Sequence, residues 1–178
     1  MSDAVDRVSA VLATTARRWR DLTETVPEDV LERPAAAGEW SAVDCLRHQV
    51  TADRHVLPAR VRQFLAGVEE LPPINPAELT VPTERTAREL AEAFARVRAE
   101  NLAMIAALRP DDLARTATSR RLGPVTLEHM LYQWAIHDLE HVLQAERALM
   151  QALLVDSGPV RTAYAAFDQE AAATSTGG

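Results

Sequence analysis

Apolar residues recur at intervals of three and four along most of the chain, which predicts helices. The first stretch covers residues 3–23, and its apolar positions are Val5, Val8, Leu12, Trp19 and Leu22. The second covers residues 41–67, with a kink expected at Pro58 because the proline ring blocks one helical hydrogen bond. No strand-like alternation competes with these patterns, so we expect helices alone.

Two further long stretches and one short stretch complete the pattern. The third covers residues 86–108, the fourth and longest covers 125–153, and residues 160–171 can form a short fifth helix. Four long helices, expected to be antiparallel and joined by loops, predict an all-α four-helix bundle. We expect one domain over residues 1–172 and a disordered tail over 173–178.

The second helix has the clearest start signal in the chain. Ser41-Ala42-Val43-Asp44 has the form of a capping box, in which a hydroxyl and an acid three residues later each accept from an unpaired backbone amide. Trp40 lies just before it, where a hydrophobic staple would be. The helix is therefore expected to begin at Ser41.

Charge and residue usage exclude several functional classes. The 178 residues carry a formal charge of −7 at pH 7, whereas nucleic-acid binding depends on basic surfaces, so we expect no nucleic-acid partner. All 19 basic residues are Arg, a usage typical of high-GC bacterial genomes. The lack of lysine excludes a Schiff-base lysine, a P-loop lysine and a lysine general base.

Cysteine and hydropathy indicate the compartment. Cys45 is the single cysteine, which excludes an internal disulfide and zinc sites built on several cysteines. The N-terminal residues lack a signal-peptide core, and no apolar run approaches the roughly 20 residues that a membrane helix needs. We expect a cytoplasmic protein without a membrane partner.

Two of the five histidines are spaced as metal ligands on one helix. His137 and His141 are four residues apart, so their rings project from one face about one turn apart. On a helical wheel the same stripe holds Met130, Gln133, Trp134, His137, His141, Gln144 and Ala148, and we expect it to face the bundle interior. A histidine pair is more often structural, so a metal site requires a third ligand from another helix.

His48 is the candidate third ligand, and the pattern around it has two interpretations. The apolar stripe of the second helix lies roughly opposite His48 and consists of Leu46, Val50, Leu57, Val61 and Phe64. His48 instead shares a face with Ser41, Cys45, Ala52, His55 and Ala59. Small residues beside histidines are typical of a cleft lining, but an exposed helix face has the same pattern.

Three motifs together resemble the DinB/YfiT-like metal-binding superfamily. They are Trp40-Ser41, His48 seven residues after that serine, and the His137-x-x-x-His141 pair followed by Gln144. The resemblance covers about residues 3–150. It implies that His48, His137 and His141 bind nickel, zinc or another divalent ion with open coordination positions.

The resemblance also implies a class of chemistry, because members include mycothiol-dependent maleylpyruvate isomerases and thiol S-transferases. The expected partners are a small-molecule thiol or electrophile, and a homodimer is left open. A divalent ion lowers the pKa of a bound thiol or water. Asp138 and Glu140 flank the expected ligands and are candidate catalytic residues, either orienting the ligands or acting as a base. The alternative interpretation is that both acids are ordinary helix charges, either solvated or in salt bridges, without a catalytic role.

The leading hypothesis is therefore a metal-dependent enzyme that activates a small thiol or water, as a thiol S-transferase, isomerase or hydrolase. A second hypothesis is a metal-binding or small-ligand-binding bundle without catalysis. A third is a structural dimerisation bundle with a degenerate site. The first two predict bound metal and the third does not.

Competing motifs fit the sequence less well. The string His137-Asp138-Leu139-Glu140-His141 also fits the inverzincin proteases, but those need a third ligand well downstream in a larger domain. A ferritin-like di-iron site needs Glu-x-x-His on two helices, which the chain does not have. Cys45 could approach the metal but is typical of a small buried apolar residue. His55 is about 10 Å further along the helix than His48, and His129 is expected to be structural or exposed.

Overall fold

A computed structural model describes residues 3–75, 79, 82, 84, 86–164 and 167. The elements in chain order are α1 (Asp3–Thr25), α2 (Glu28–Leu31), α3 (Ala42–Thr51), a π-helical segment (Ala52–Val56), α4 (Leu57–Leu65), α5 (Ala87–Ala106), α6 (Pro110–Leu113), β1 (Thr116–Ser119), β2 (Gly123–Thr126), α7 (Leu127–Val155) and a 3₁₀ helix (Gly158–Tyr164). Helix α1, the continuous α3–π–α4 element, α5 and α7 form the predicted four-helix bundle.

Helix α1 and helix α7 are parallel neighbours. Helix α1 packs on α5 and α7, and α3 packs on the same two helices. Thr15 and Arg18 of α1 bond to Asp138 and Glu146 of α7, so residue numbers rise in the same direction along both helices. The expectation of antiparallel helices throughout is therefore wrong.

The second long helix contains a π turn at its predicted kink. The backbone N–H of Leu57 donates to the carbonyl of Ala52, five residues earlier instead of four. Pro58 has no N–H to continue the α-helical ladder, so the helix takes up one additional residue before α4 begins. Residues after the π segment are consequently rotated relative to a regular helical wheel.

The capping box at Ser41 is present as predicted. The hydroxyl of Ser41 accepts from the Asp44 amide at 3.1 Å, and the Asp44 carboxylate accepts from the Ser41 amide at 3.1 Å. Thr86 and Glu89 form the same motif at the start of α5. Local side-chain chemistry thus sets the first residue of both helices.

A β-hairpin occupies part of the region expected to be a loop before α7. Strands β1 and β2 are antiparallel, with Ala117 opposite Val125 and both side chains buried. Strands of four residues are too short to give a readable alternation, so the sequence did not reveal them. The amide of Thr118 donates to Glu69 O and that of Leu71 donates to Thr118 O. The hairpin thereby anchors the chain that follows α4.

The C-terminal region is described only in part. The short helix expected over residues 160–171 corresponds to the 3₁₀ helix as far as Tyr164. Residues 165–166 and 168–178 lie outside the described residues, including the tail expected to be disordered. Within the described part of the chain, no helix has the length and apolar character needed to cross a membrane.

Candidate metal centre

Three histidines from two helices meet at the edge of the bundle core. His48 of α3 and His137 and His141 of α7 each offer one ring nitrogen within 4.8 Å of the others. The Nε2 atoms of His48 and His137 are 3.1 Å apart. Two nitrogens that bind one tetrahedral zinc ion at 2.0–2.1 Å lie about 3.3 Å apart, so this spacing fits a shared ion.

Helix packing decides the position of His48, which the sequence pattern left open. The side-chain amide of Gln49 donates to His137 O at 3.3 Å, which joins α3 to α7 beside the cluster. His48 is half-buried and lies one turn after the fully buried Cys45, and it lines a cavity of the bundle. The face that carries His48 therefore lines a cleft.

The histidine stripe of α7 lies at the border of the interior and not within it. His137, His141 and Gln144 are half-buried, whereas the neighbouring Trp134 and Ala148 are buried. The expectation that the whole stripe faces the interior is therefore correct only in part. A border position leaves both imidazole rings partly exposed, as the approach of an ion and a substrate requires.

Two neighbouring side chains orient the cluster. Gln144 Oε1 lies 3.0 Å from Nδ1 of His141, so an Nδ1–H donor leaves the Nε2 lone pair free for an ion. The Trp40 ring stacks on His141 with centroids 5.6 Å apart and lies 5.1 Å from His48. Trp40 thus covers the outer side of the cluster, a role beyond the expected staple.

The electrostatic environment favours neutral imidazoles. Burial, together with the neighbouring His141 and His137, lowers the pKa of His48 to about 4. Burial also lowers the pKa of His137, with His141 acting in the same direction. Because only a neutral imidazole has a lone pair for a metal, these shifts favour the metal-binding form of His48 and His137 at neutral pH.

We expect the metal-free protein to lose stability between pH 6.5 and about 4. The pKa of His48 is lower in the folded than in the unfolded chain, so the unfolded chain binds the proton first as the pH falls. Urea unfolding with chelator at pH 7 and pH 5 measures the loss. His48→Gln should lose less free energy of unfolding between these pH values than the wild type, and an equal loss would contradict the prediction.

The two candidate acids do not join the histidines. Asp138 is fully buried, and its carboxylate accepts from Arg98 and Thr15. Glu140 is exposed and lines a separate cavity of about 330 Å³ on the side of Trp40 and Gln144. Asp138 therefore belongs to a core ion pair, the alternative considered for it from the sequence.

A buried charge network lies beneath the cluster and was not predicted from the sequence. Arg98 of α5 is 1% exposed and donates to Asp53 and Asp138, with Nε to Asp53 Oδ2 at 2.7 Å and Nη1 to Asp138 Oδ2 at 2.6 Å. The indole N–H of Trp134 donates to Asp53 Oδ1 at 3.3 Å. The available signal was the spacing of Leu90, Phe94, Arg98, Asn101 and Ile105, which places a charged residue within an apolar helical stripe.

The remaining singled-out residues lie outside the cluster. Burial raises the pKa of the Cys45 thiol to about 12, so it stays protonated as an ordinary core residue. His129 accepts from the Thr126 amide through Nδ1 and caps the start of α7. His55 lines a neighbouring groove and not the cavity beside the cluster.

A cavity of about 480 Å³, the histidine cavity, opens beside the cluster. His48 and His137 lie on its wall with Trp134, and Met130 and Leu57 add apolar surface. The segment anchored by the hairpin contributes Leu71, Pro72, Pro73 and Ile74. Three arginines, Arg60, Arg120 and Arg121, also line the cavity, and no described Asp or Glu does. The lining is therefore mostly apolar, and its formally charged members among the described residues are all basic.

Comparison with known proteins identifies the family. The model of the DinB superfamily matches residues 12–145, which include all three histidines. The chain belongs to the DinB superfamily. This DinB-superfamily chain also resembles a solved structure described as "YfiT from Bacillus subtilis is a probable metal-dependent hydrolase with an unusual four-helix bundle topology". The TM-score is 0.67 with 16% identity, over 83% of this chain and 87% of that one, which shows a shared fold. No curated protein matches the sequence.

Proposed function

We propose that the protein is a metal-dependent enzyme whose divalent ion, nickel or zinc, is held by His48, His137 and His141. The observation that carries the proposal is the convergence of three half-buried imidazoles, two of which, those of His48 and His137, line the histidine cavity. When bound, an ion with three neutral ligands retains its full charge and lowers the pKa of a thiol or water beside it.

The residues around the centre favour a thiol as the nucleophile. Among the described residues, no carboxylate lines the histidine cavity to accept a proton from water. A thiol with a pKa of about 8.5 needs only a nearby positive charge to ionise at neutral pH. We therefore propose transfer of a low-molecular-weight thiol to an electrophile, as in a thiol S-transferase or isomerase, ahead of hydrolysis.

The chain's own residues prepare the site for this reaction. Gln144 sets the tautomer of His141, and Trp40 shields the outer side of the cluster. Trp134, Met130 and Leu57 provide an apolar wall along which a small organic substrate can lie with little water. A volume of about 480 Å³ is that of an ordinary small-molecule site.

The proposal predicts both bound metal and metal-dependent thiol consumption. Elemental analysis after purification without chelator should give about one equivalent of nickel or zinc per chain, as expected for one three-histidine site. Mycothiol, bacillithiol and glutathione are then each mixed with 1-chloro-2,4-dinitrobenzene, and the thioether is measured. One of them should react faster with the loaded protein than with the chelated protein, and re-addition of the ion should restore the rate.

The two readouts separate the competing functions. Less than about a tenth of an equivalent of metal would contradict every metal-binding function for a three-ligand site of ordinary affinity. Bound metal without turnover for any thiol or electrophile would instead indicate a non-catalytic metal-binding bundle. Turnover that survives complete removal of the ion would overturn the role of the three histidines.

A further inference from the structure

The histidine cavity is lined by arginine side chains whose charge no acidic lining residue of the described chain balances. Arg60, Arg120 and Arg121 line it, and no acidic residue in the described part of the chain does so. Arg120 pairs at 3.3 Å with Glu70, although both side chains are largely exposed. Arg121 has no ion pair with a described residue. An anion in the cavity would therefore find arginine partners that the protein itself does not neutralise.

The π segment brings Arg60 onto the face that carries His48. In a regular α-helix, twelve residues at about 100° each would place Arg60 about 120° from His48. The additional residue in the π turn removes about 100° of this rotation, so the two side chains lie within about 20° of one face. Four residues of this element line the cavity at intervals of four, which agrees with the smaller rotation: His48, Ala52, Val56 and Arg60.

The guanidinium of Arg60 has an open edge. Its Nη1 donates to Gln63 Oε1 at 2.9 Å and to Pro72 O at 2.8 Å, and both acceptors are neutral. Its Nε and Nη2 have no partner among the described residues. The half-buried position of Arg60 lowers its pKa through desolvation, with no carboxylate opposing the effect. The Nε and Nη2 pair is the edge that binds a carboxylate through two parallel hydrogen bonds.

We propose that the substrate carries a carboxylate that binds Arg60 while its apolar body extends along the histidine cavity to the metal centre. Arg60 is about 18 Å from His48 along the helix axis, and its side chain leans back toward the helix N-terminus. The carboxylate and the reacting atom are therefore separated by on the order of 10 Å. This inference deepens the proposed function, on which it rests for the reacting end of the substrate.

The binding test uses a matched pair of probes and needs no metal. Chelated, ¹⁵N-labelled protein is titrated with 4-phenylbutyrate and with its neutral amide, 4-phenylbutyramide. The indole N–H resonance of Trp134, assigned with Trp134→Phe, reports occupancy because Trp134 lines the cavity. The wild type should bind the carboxylate about tenfold more tightly than the amide, as expected for charge-assisted hydrogen bonds.

Arg62 supplies the matched control, because it lies on the same helix, is exposed and does not line the cavity. In Arg60→Gln the preference for the carboxylate should fall to within about twofold of the amide, whereas Arg62→Gln should retain it. Arg60→Lys keeps the charge without the forked donor edge, so it should retain a reduced preference. If Arg60→Gln fails to fold, Arg60→Lys still tests the role of the forked edge.

Three results would overturn the inference: equal affinity of acid and amide in the wild type, an unchanged preference in Arg60→Gln or Arg60→Lys, or no shift of the Trp134 resonance with either probe. Failure of the proposed function has a different signature. It shows as absence of metal or turnover in the wild type and leaves these titrations unaffected.

Discussion

Replacing His48 with alanine is expected to abolish metal binding as fully as replacing His141. Each substitution removes one of three ligands, and two imidazoles on flexible side chains hold a divalent ion far more weakly than three positioned ones. We expect the metal content to fall from about one equivalent to below about a tenth of an equivalent, and metal-dependent thiol consumption to fall by at least about a hundredfold.

His55→Ala and His129→Ala are the matched controls, because they remove histidines that lie outside the cluster. His129→Ala weakens the cap of α7, yet the metal content of both variants should stay at the wild-type value. Circular dichroism of every variant checks that the helices are intact. Full metal retention by folded His48→Ala would remove that residue from the centre and leave only the α7 pair.

Replacing Arg98 with methionine is expected to cause the largest loss of stability. The guanidinium contacts Asp53 and Asp138 and also donates to Leu12 O at 3.0 Å and Thr15 Oγ1 at 3.1 Å. Methionine fills a similar volume but leaves two carboxylates without their cation in the core. Breaking a buried ion pair in this way typically costs about 3–5 kcal/mol, a large fraction of the stability of one domain.

Urea unfolding at pH 7 measures this loss, and Arg62→Met is the control for the same change on the surface. Asp53→Asn in the Arg98→Met background should recover part of the free energy of unfolding, because it removes one of the unpaired carboxylates. A loss below about 1 kcal/mol in Arg98→Met would show that the network contributes no more than an ordinary surface pair.

The same network connects the core to the candidate metal centre. Asp138 directly follows His137, and Trp134 links Asp53 to the wall of the histidine cavity. Arg98 also stacks on Phe94, with its Cζ 4.5 Å from the ring centroid. This hydrogen-bonded layer beneath α7 supports the backbone that carries His137 and His141, and an ion with fixed coordination geometry requires ligands positioned in this way.

The main helices and two of the three histidines of the candidate metal centre could be predicted from residue patterns in the sequence. Periodicity gave the long helices, with the start of the fourth misplaced by only two residues, and the capping box located the start of α3. These features depend on neighbours within one or two turns, so the sequence carries them locally. The spacing of His137 and His141 on one helix is likewise local.

Packing between helices decided the position of the third histidine, the buried charge network and the lining of the cavity. His48 reaches the other histidines because α3 lies against α7, and Arg98 is a core residue because Asp53 and Asp138 come from two other helices. The π turn before Pro58 moved Arg60 onto the cavity face and left His55 beside a neighbouring groove. A helical wheel assumes regular geometry and ignores partners from other helices, so contacts between residues distant in sequence are settled only by the tertiary structure.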